Sequence, residues 1–238
     1  MKNLAYLTLI AITLVACTPP LYYPSMVQAP TVHEKGDLEI ATYMSPQFGQ
    51  LQVAFAPHRS VVVGGEFGSD LNTNATDSDE RRFYGLNAGY ILLPEGVETR
   101  LRPTAHVLIG FGSGSTRTAG YFRNDLVSTA SYSMIGFYNR LQLTIGGGIT
   151  HRNVDLLFNS RLSRVSFYSL DVYGNTALGD HENAFVEPTM TIRAGGKHLK
   201  FVAQAGLSIP LSDADFQSSP LIIGIGIQTD LNLERFMK

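Results

Sequence analysis

The sequence predicts an all-β fold, a closed antiparallel transmembrane β-barrel of about ten strands. Three observations predict it. From Gly36 onward, segments of period-2 alternation are separated by turn signals, with no amphipathic helix between them. One face of that alternation is bulky and apolar, the other small, polar or singly charged. The connections alternate between short and long, as they do in outer-membrane barrels. Composition agrees. Charged residues are 16% of the chain and hydrophobic residues 44%, whereas soluble domains carry about a quarter charged residues. Nothing divides the chain into two domains, and a net charge of -2 offers no basic excess for nucleic acid.

The elements follow in order. Residues 1–16 start with Lys2, continue in an apolar run over Leu4–Val15 and end in small residues before Cys17. That is the layout of an export signal, too short and wrongly flanked for a spanning helix. Leu14-Val15-Ala16-Cys17 resembles the lipobox of bacterial lipoproteins, and Cys17 is the chain's only cysteine. The resemblance implies cleavage before Cys17, a diacylglycerol on its thiol and a further acyl chain such as palmitate on the freed amine. Each buried methylene adds about 0.8 kcal/mol of membrane affinity, so two or three chains hold a protein firmly. With the cysteine committed to lipid, the chain has no disulfide framework and no thiolate zinc site.

Residues 17–35 form a lipidated leash with Pro19, Pro20, Pro24 and Pro30. Prolines this close block helix and sheet alike, so the segment is extended. It either tethers the lipid to the folded body or packs along a wall of the domain.

Residues 36–238 form the barrel. The strands are read as Gly36–Ser45, Phe48–Ala56, Ser60–Gly68, Arg82–Leu92, Leu101–Gly112, Ile135–Thr150, Val154–Phe167, Ala184–Gly195, Leu199–Pro210 and Pro220–Leu233. In the ninth, Phe201, Ala203, Ala205, Leu207 and Ile209 oppose Val202, Gln204, Gly206 and Ser208. In the tenth, Leu221, Ile223, Ile225 and Ile227 oppose Ile222, Gly224, Gly226 and Gln228. The second and sixth strands divide in the same way.

Three features turn the apolar face toward lipid. The polar face is rich in glycine and holds single charges, which suits a crowded narrow lumen. Aromatics gather near strand ends, at Tyr43, Phe48, Phe67, Phe83, Tyr84, Tyr90, Phe137, Tyr138, Phe167 and Tyr168, and read as interfacial girdles. Connections 57–59, 93–100, 151–153 and 196–198 are short, and 69–81, 113–134, 168–183 and 211–219 are long, the first hairpin's turn near Pro46-Gln47 being the short exception. An even strand number returns the C-terminus to the side of the N-terminus, so both ends are expected in the periplasm with the short turns, and the long loops outside. A soluble sandwich or lipid-transport barrel with an apolar interior is the rival; it explains the alternation but neither the loop rhythm nor the low charge.

Tyr23-Pro24, Glu34-Lys35-Gly36-Asp37, Asn139-Arg140 and Glu187-Pro188 are spread along the chain. On these the sequence resembles the small lipid-anchored outer-membrane β-barrel proteins (lipoproteins) of Bacteroidota. The resemblance implies a fold and a location and supplies no catalytic residues. The ending Phe236-Met237-Lys238 departs from the terminal aromatic common in outer-membrane barrels.

The lumen-facing parity collects Glu39, Glu66, Asp155 and Glu187 with Arg140, Arg161 and Arg193. Ionised groups in a narrow lumen need partners, so these read as a mutual salt-bridge plug or, alternatively, as the lining of a small pore. Arg164 falls on the lipid-facing parity, which places it near the rim or beside a bulge. Asp70, Asn72 and Asn74 begin a calcium-loop pattern that fails at Ala75 and Arg81, leaving a solvated acidic loop. The histidines show no metal spacing. Only His181, between Asp180 and Glu182, falls in a long loop where a rim catalyst would need it. The glycine runs 110–114 and 146–148 precede no helix and match no phosphate loop.

The sequence therefore points to a non-catalytic, lipid-anchored barrel of the bacterial outer membrane, without cofactor or metal. It would be an accessory or structural component that meets membrane lipids and another outer-membrane protein. A surface hydrolase and a narrow pore are the alternatives.

Overall fold

The structure is a computed structural model that describes residues 20–32, 34–46, 48–70, 80–92, 101–124, 128–151, 153–172, 175–177, 181–212, 216 and 218–236, except for the side chains of 119–124, 128–133, 172, 175–177 and 235–236. Its sheet contains β1 (Asp37–Met44), β2 (Gly49–His58), β3 (Val61–Ser69), β4 (Glu80–Leu92), β5 (Leu101–Asn124), β6 (Ser128–His151), β7 (Val154–Val172), β8 (Asn175–Ala177), β9 (His181–Gly195), β10 (Leu199–Leu207), β11 (Ile209–Pro210) and β12 (Leu221–Asn232). One helical turn, α1 (Leu233–Phe236), follows. β8 and β11 are short additions to β7 and β9. The other ten strands pair in sequence, antiparallel throughout, and β1 against β12 closes the barrel from Asp37↔Asn232 to Met44↔Ile225. Closure satisfies the strand edges internally, which an open sheet cannot do in lipid.

Alternation decides which side chains point in. On β10, Phe201, Ala203, Ala205 and Leu207 are exposed outward while Val202 and Gln204 are buried. On β12, Leu221, Ile223, Ile225 and Ile227 face out and Ile222, Gly224 and Gln228 face in. The outward face is broadly apolar, with Leu86, Ile109, Leu143, Leu162 and Ile192 at successive strands.

The structure corrects several expectations. Most of segment 113–134 is strand: β5 and β6 stay paired from Ser113↔Asn139 out to Asn124↔Ser128. The β4 ladder ends at Glu80↔Arg117, so beyond it β5 has β6 as its one neighbouring strand among the described residues, while β6 still pairs with β7 out to Met134↔Val172. Much of 168–183 is strand too, with β7 running to Val172 and β9 starting at His181.

The aromatic girdle is only half a girdle. Phe67, Tyr84, Tyr90, Phe137 and Tyr168 face outward, but Tyr43, Phe48, Phe83, Tyr138 and Phe167 are buried. Neighbours in a strand point to opposite faces, so the doublets Phe83-Tyr84, Phe137-Tyr138 and Phe167-Tyr168 each split.

The leash takes the second of its two expected courses, and from the inside. Residues 20–32 pack along the wall within the lumen, and Tyr22, Ser25, Met26, Val27 and Ala29 are fully or almost fully buried. Tyr22 bridges Ser218 at the long-loop end. Val32 packs with Ala54, Ala56, Val62, Ile91 and Leu108 near the short-turn end. The chain then turns at Gly36, which takes φ +83° and lies so close to Glu234 that a Cβ would meet its Cγ at 2.7 Å. Gly36 O accepts from Leu233 N at 2.9 Å, and Asn232 Nδ2 donates to Asp37 Oδ1 at 2.7 Å, fastening the seam. Residues 20–22 therefore lie at the opposite end of the barrel from residues 233–236, and the two ends of the described chain do not share a side.

Candidate functional site

Among the described residues, the lumen wall carries four buried ion pairs. Arg140 on β6 reaches Glu66 on β3 at 2.5 Å, and Arg161 on β7 reaches Glu187 on β9 at 2.5 Å. Arg193 on β9 reaches Glu39 on β1 at 3.2 Å, and Lys200 on β10 reaches Asp155 on β7 at 2.6 Å. All seven lumen charges named from the sequence lie in this set. Lys200 supplies the partner that parity reading left out, and the pairs balance. Hydrogen bonds complete the carboxylates: Glu187 also accepts from Ser163 Oγ at 2.9 Å, Ser208 Oγ at 3.1 Å and Tyr22 OH at 3.4 Å. Glu66 accepts from Gln50 at 3.0 Å and Gln142 at 3.1 Å. A buried charge left unpaired would be costly, and these are paired.

The threaded segment is held by the same groups. Ser25 Oγ accepts from Arg140 Nη1 at 2.8 Å and Arg161 Nη1 at 2.9 Å, and its carbonyl accepts from Arg161 Nη2 at 2.9 Å. Lower down, Ala29 O accepts from Arg193 Nη2 at 2.6 Å, and Thr31 N donates to Glu39 Oε2 at 2.9 Å. The wall thus uses its ion pairs as clamps on a main chain.

Two glutamines, Gln50 on β2 and Gln204 on β10, read that main chain. Gln50 Oε1 accepts from Met26 N at 2.7 Å and its Nε2 donates to Met26 O at 3.3 Å. Gln204 does the same for Val27, at 2.7 Å and 2.8 Å. A primary amide presents an N–H and a C=O side by side, as a strand residue does, so each glutamine stands in for a neighbouring strand, and its second N–H bonds the wall, at Glu66 and Thr191 respectively. The prolines fit this setting. Pro24 and Pro30 bring no N–H into a lumen where an unpaired donor is expensive.

Room for the segment comes from wall glycines. A Cβ on Gly64 would meet Gln28 Nε2 at 2.9 Å, and one on Gly224 would meet Met26 Sδ at 2.8 Å. Beside Gln28 a cavity of about 10 Å³ remains, lined by Glu66, Asn87, Gln142, Thr144 and Arg161 among others. That is about the room one water needs.

The long-loop end is capped by packed rings. Tyr22 meets Tyr138 edge-on at 5.9 Å and Phe185 at 5.0 Å, and Phe167 meets Phe216 at 4.8 Å. The Arg81 guanidinium lies 3.9 Å over the Tyr23 ring and pairs with Asp70 at 3.3 Å.

The remaining sequence candidates fall elsewhere. Arg164 is exposed on the outward face, as its parity requires, and holds Glu182 at 2.7 Å. Asn72, Asn74 and Ala75 of the acidic loop lie outside the described residues, as do the export signal, Cys17 and Asp180. His181 is not in a loop but opens β9 opposite Phe167. Ser25, Gln50, Gln204 and Lys200 were missed as site residues. The usable signal was the run of amides on the lumen parity (Gln50, Gln52, Gln204), which bond the main chain of Met26 and Val27.

The chain is similar to the N-terminal β-barrel domain of OprF from Pseudomonas aeruginosa, with 9% identity and a TM-score of 0.36 over 83% of this chain and 98% of that one. It is also similar to a major outer membrane protein from Thermus thermophilus, with 11% identity and a TM-score of 0.37 over 82% and 99%. No protein-family model and no curated protein matches it.

Proposed function

We propose that the protein is a non-catalytic, lipid-anchored barrel of a bacterial outer membrane, shut by its own residues 20–32, and that it serves as an accessory or structural component of an outer-membrane complex. The observation that carries this is the lumen: among the described residues, the segment and four ion pairs occupy it, and the cavity beside Gln28 is about 10 Å³. The apolar outward face, interrupted toward the loop end by the pairs Glu80–Arg82 and Arg164–Glu182, supports burial in lipid. Outer-membrane barrels keep short turns in the periplasm and longer loops outside, which orients the turns at 59–60 and 196–198 inward. The proposed partners are membrane lipids, through Cys17, and another outer-membrane protein met by the long loops or the lipid-facing wall. The narrow-pore alternative has the charged wall in its favour, but the segment occupies that wall's partners. The hydrolase alternative needs an acid beside His181, and Asp180 lies outside the described residues.

Alkaline carbonate without detergent should leave the protein in the membrane; release would revive the soluble barrel. In planar bilayers it should give no steady conductance, and an ion-selective current would establish the pore instead. Cys17→Ser should abolish acyl labelling while the barrel still inserts, because closed strands supply their own membrane affinity. Label persisting in that variant would refute the anchor.

A further inference from the structure

The threaded segment runs one way, from Tyr22 beside Ser218 at the long-loop end to Val32 beside Ala56 and Val62 at the short-turn end. An extended proline-rich chain covers about 3.1 Å per residue, so residues 20–32 span roughly 37 Å. That compares with a hydrocarbon thickness of about 30 Å. Cys17 precedes Pro20 by three residues, a reach of at most about 11 Å. It cannot return to the short-turn end.

We infer that residues 20–32 carry the amino-terminal anchor through the inside of the barrel, so that the acyl chains assigned to Cys17 enter the membrane at the long-loop rim, in the leaflet opposite the short turns and the carboxyl-terminal residues. The inference rests on reading Cys17 as acylated. The leash then makes one more membrane crossing, shielded from lipid by the strands. It also constrains assembly. The segment is bonded to β1 through Glu39, β2 through Gln50, β6 through Arg140, β7 through Arg161, β9 through Arg193 and β10 through Gln204. A lumen this full does not admit an acylated end being drawn through it. The β1–β12 seam therefore closes around a segment already in place.

The test uses the full chain with Pro20→Cys at the loop end or Lys197→Cys in the exposed turn between β9 and β10. Intact cells are treated with a membrane-impermeant maleimide, and the treatment is repeated after the outer membrane is permeabilised. Pro20→Cys should react in intact cells, and Lys197→Cys only after permeabilisation. Should Pro20→Cys accumulate poorly, Pro46→Cys, at an exposed position in the turn between β1 and β2, reports the same end without touching the segment and should react in intact cells. Labelling of both Pro20→Cys and Lys197→Cys only after permeabilisation would show that the segment does not cross, and would overturn the inference. The reverse pattern, Lys197→Cys reactive and Pro20→Cys protected in intact cells, would still show the segment crossing, and would overturn the orientation given under the proposed function. The wild type gives a separate readout of the anchor. Its single thiol, after denaturation, should be blocked; a reactive thiol would refute acylation and the lipid half of the inference, while the Pro20→Cys pattern still decides the crossing.

Discussion

Arg161 and Arg164 lie three residues apart on β7, and each pairs with a glutamate of β9, yet they belong to different environments. Arg161 is 1% exposed and holds Glu187, the Ser25 hydroxyl and the Ser25 carbonyl at once. Arg164, with a side chain 64% exposed, makes a bidentate pair with Glu182 on the far side of the wall from the segment. The same contrast runs around the barrel. Inward positions such as Gln204 and Arg193 have specific partners at hydrogen-bond distance, while outward ones such as Ile192 and Ile225 need only be apolar. The inner face depends on identity and geometry, the outer face on composition and parity.

Four substitutions test that contrast, in order of expected effect. Arg161→Ala strands the buried Glu187 carboxylate and releases Ser25, which should cost about 3–5 kcal/mol. The folded, heat-modifiable gel band should vanish at a markedly lower temperature than in wild type. Ile225→Arg places a charge near mid-strand on the outer face and should cost roughly 2–4 kcal/mol at the bilayer midplane, read from urea unfolding in liposomes. A neutral result there would mean that this wall does not face lipid.

Gln204→Leu keeps the size of the side chain but leaves Val27 N–H and C=O without the amide that holds them. The expected loss is about 1–3 kcal/mol, with faster hydrogen exchange confined to the threaded segment. Exchange unchanged at Val27 would show that the glutamine is not its clamp. Arg164→Gln should change stability by less than about 1 kcal/mol, and added salt should erase even that, because an exposed pair is screened. A loss as large as that of Arg161→Ala would dissolve the distinction between the two faces.

Much of the wall was legible in the sequence. Period-2 alternation is a local property, so the inward set from Glu39 to Arg193 and the outward set from Leu51 to Ile227 could be read without knowing how strands pair. Lys200 lies on the inward parity of its strand, with Val202 and Gln204, but was not counted with the lumen charges; the fold brings its Nζ across β9 to Asp155. The aromatic doublets misled too. Position near a strand end was weighed, and the alternation that sends one ring of each doublet inward was not.

What the sequence determined by itself was an all-β chain of about ten strands and the character of each face, because alternation of side chains along an extended backbone is set residue by residue; closure shows only in the pairing of β1 with β12. The course of residues 20–32 was decided only by the tertiary structure. Pro24 and Pro30 remove backbone donors, so the segment can join no ladder and carries no period to read. Its partners stand far along the chain, Arg161 at 136 positions from Ser25 and Gln204 at 177 from Val27. Closure of β1 on β12 gathers those side chains around one axis, and the axis then fixes both the segment's place and the end of the barrel at which it emerges.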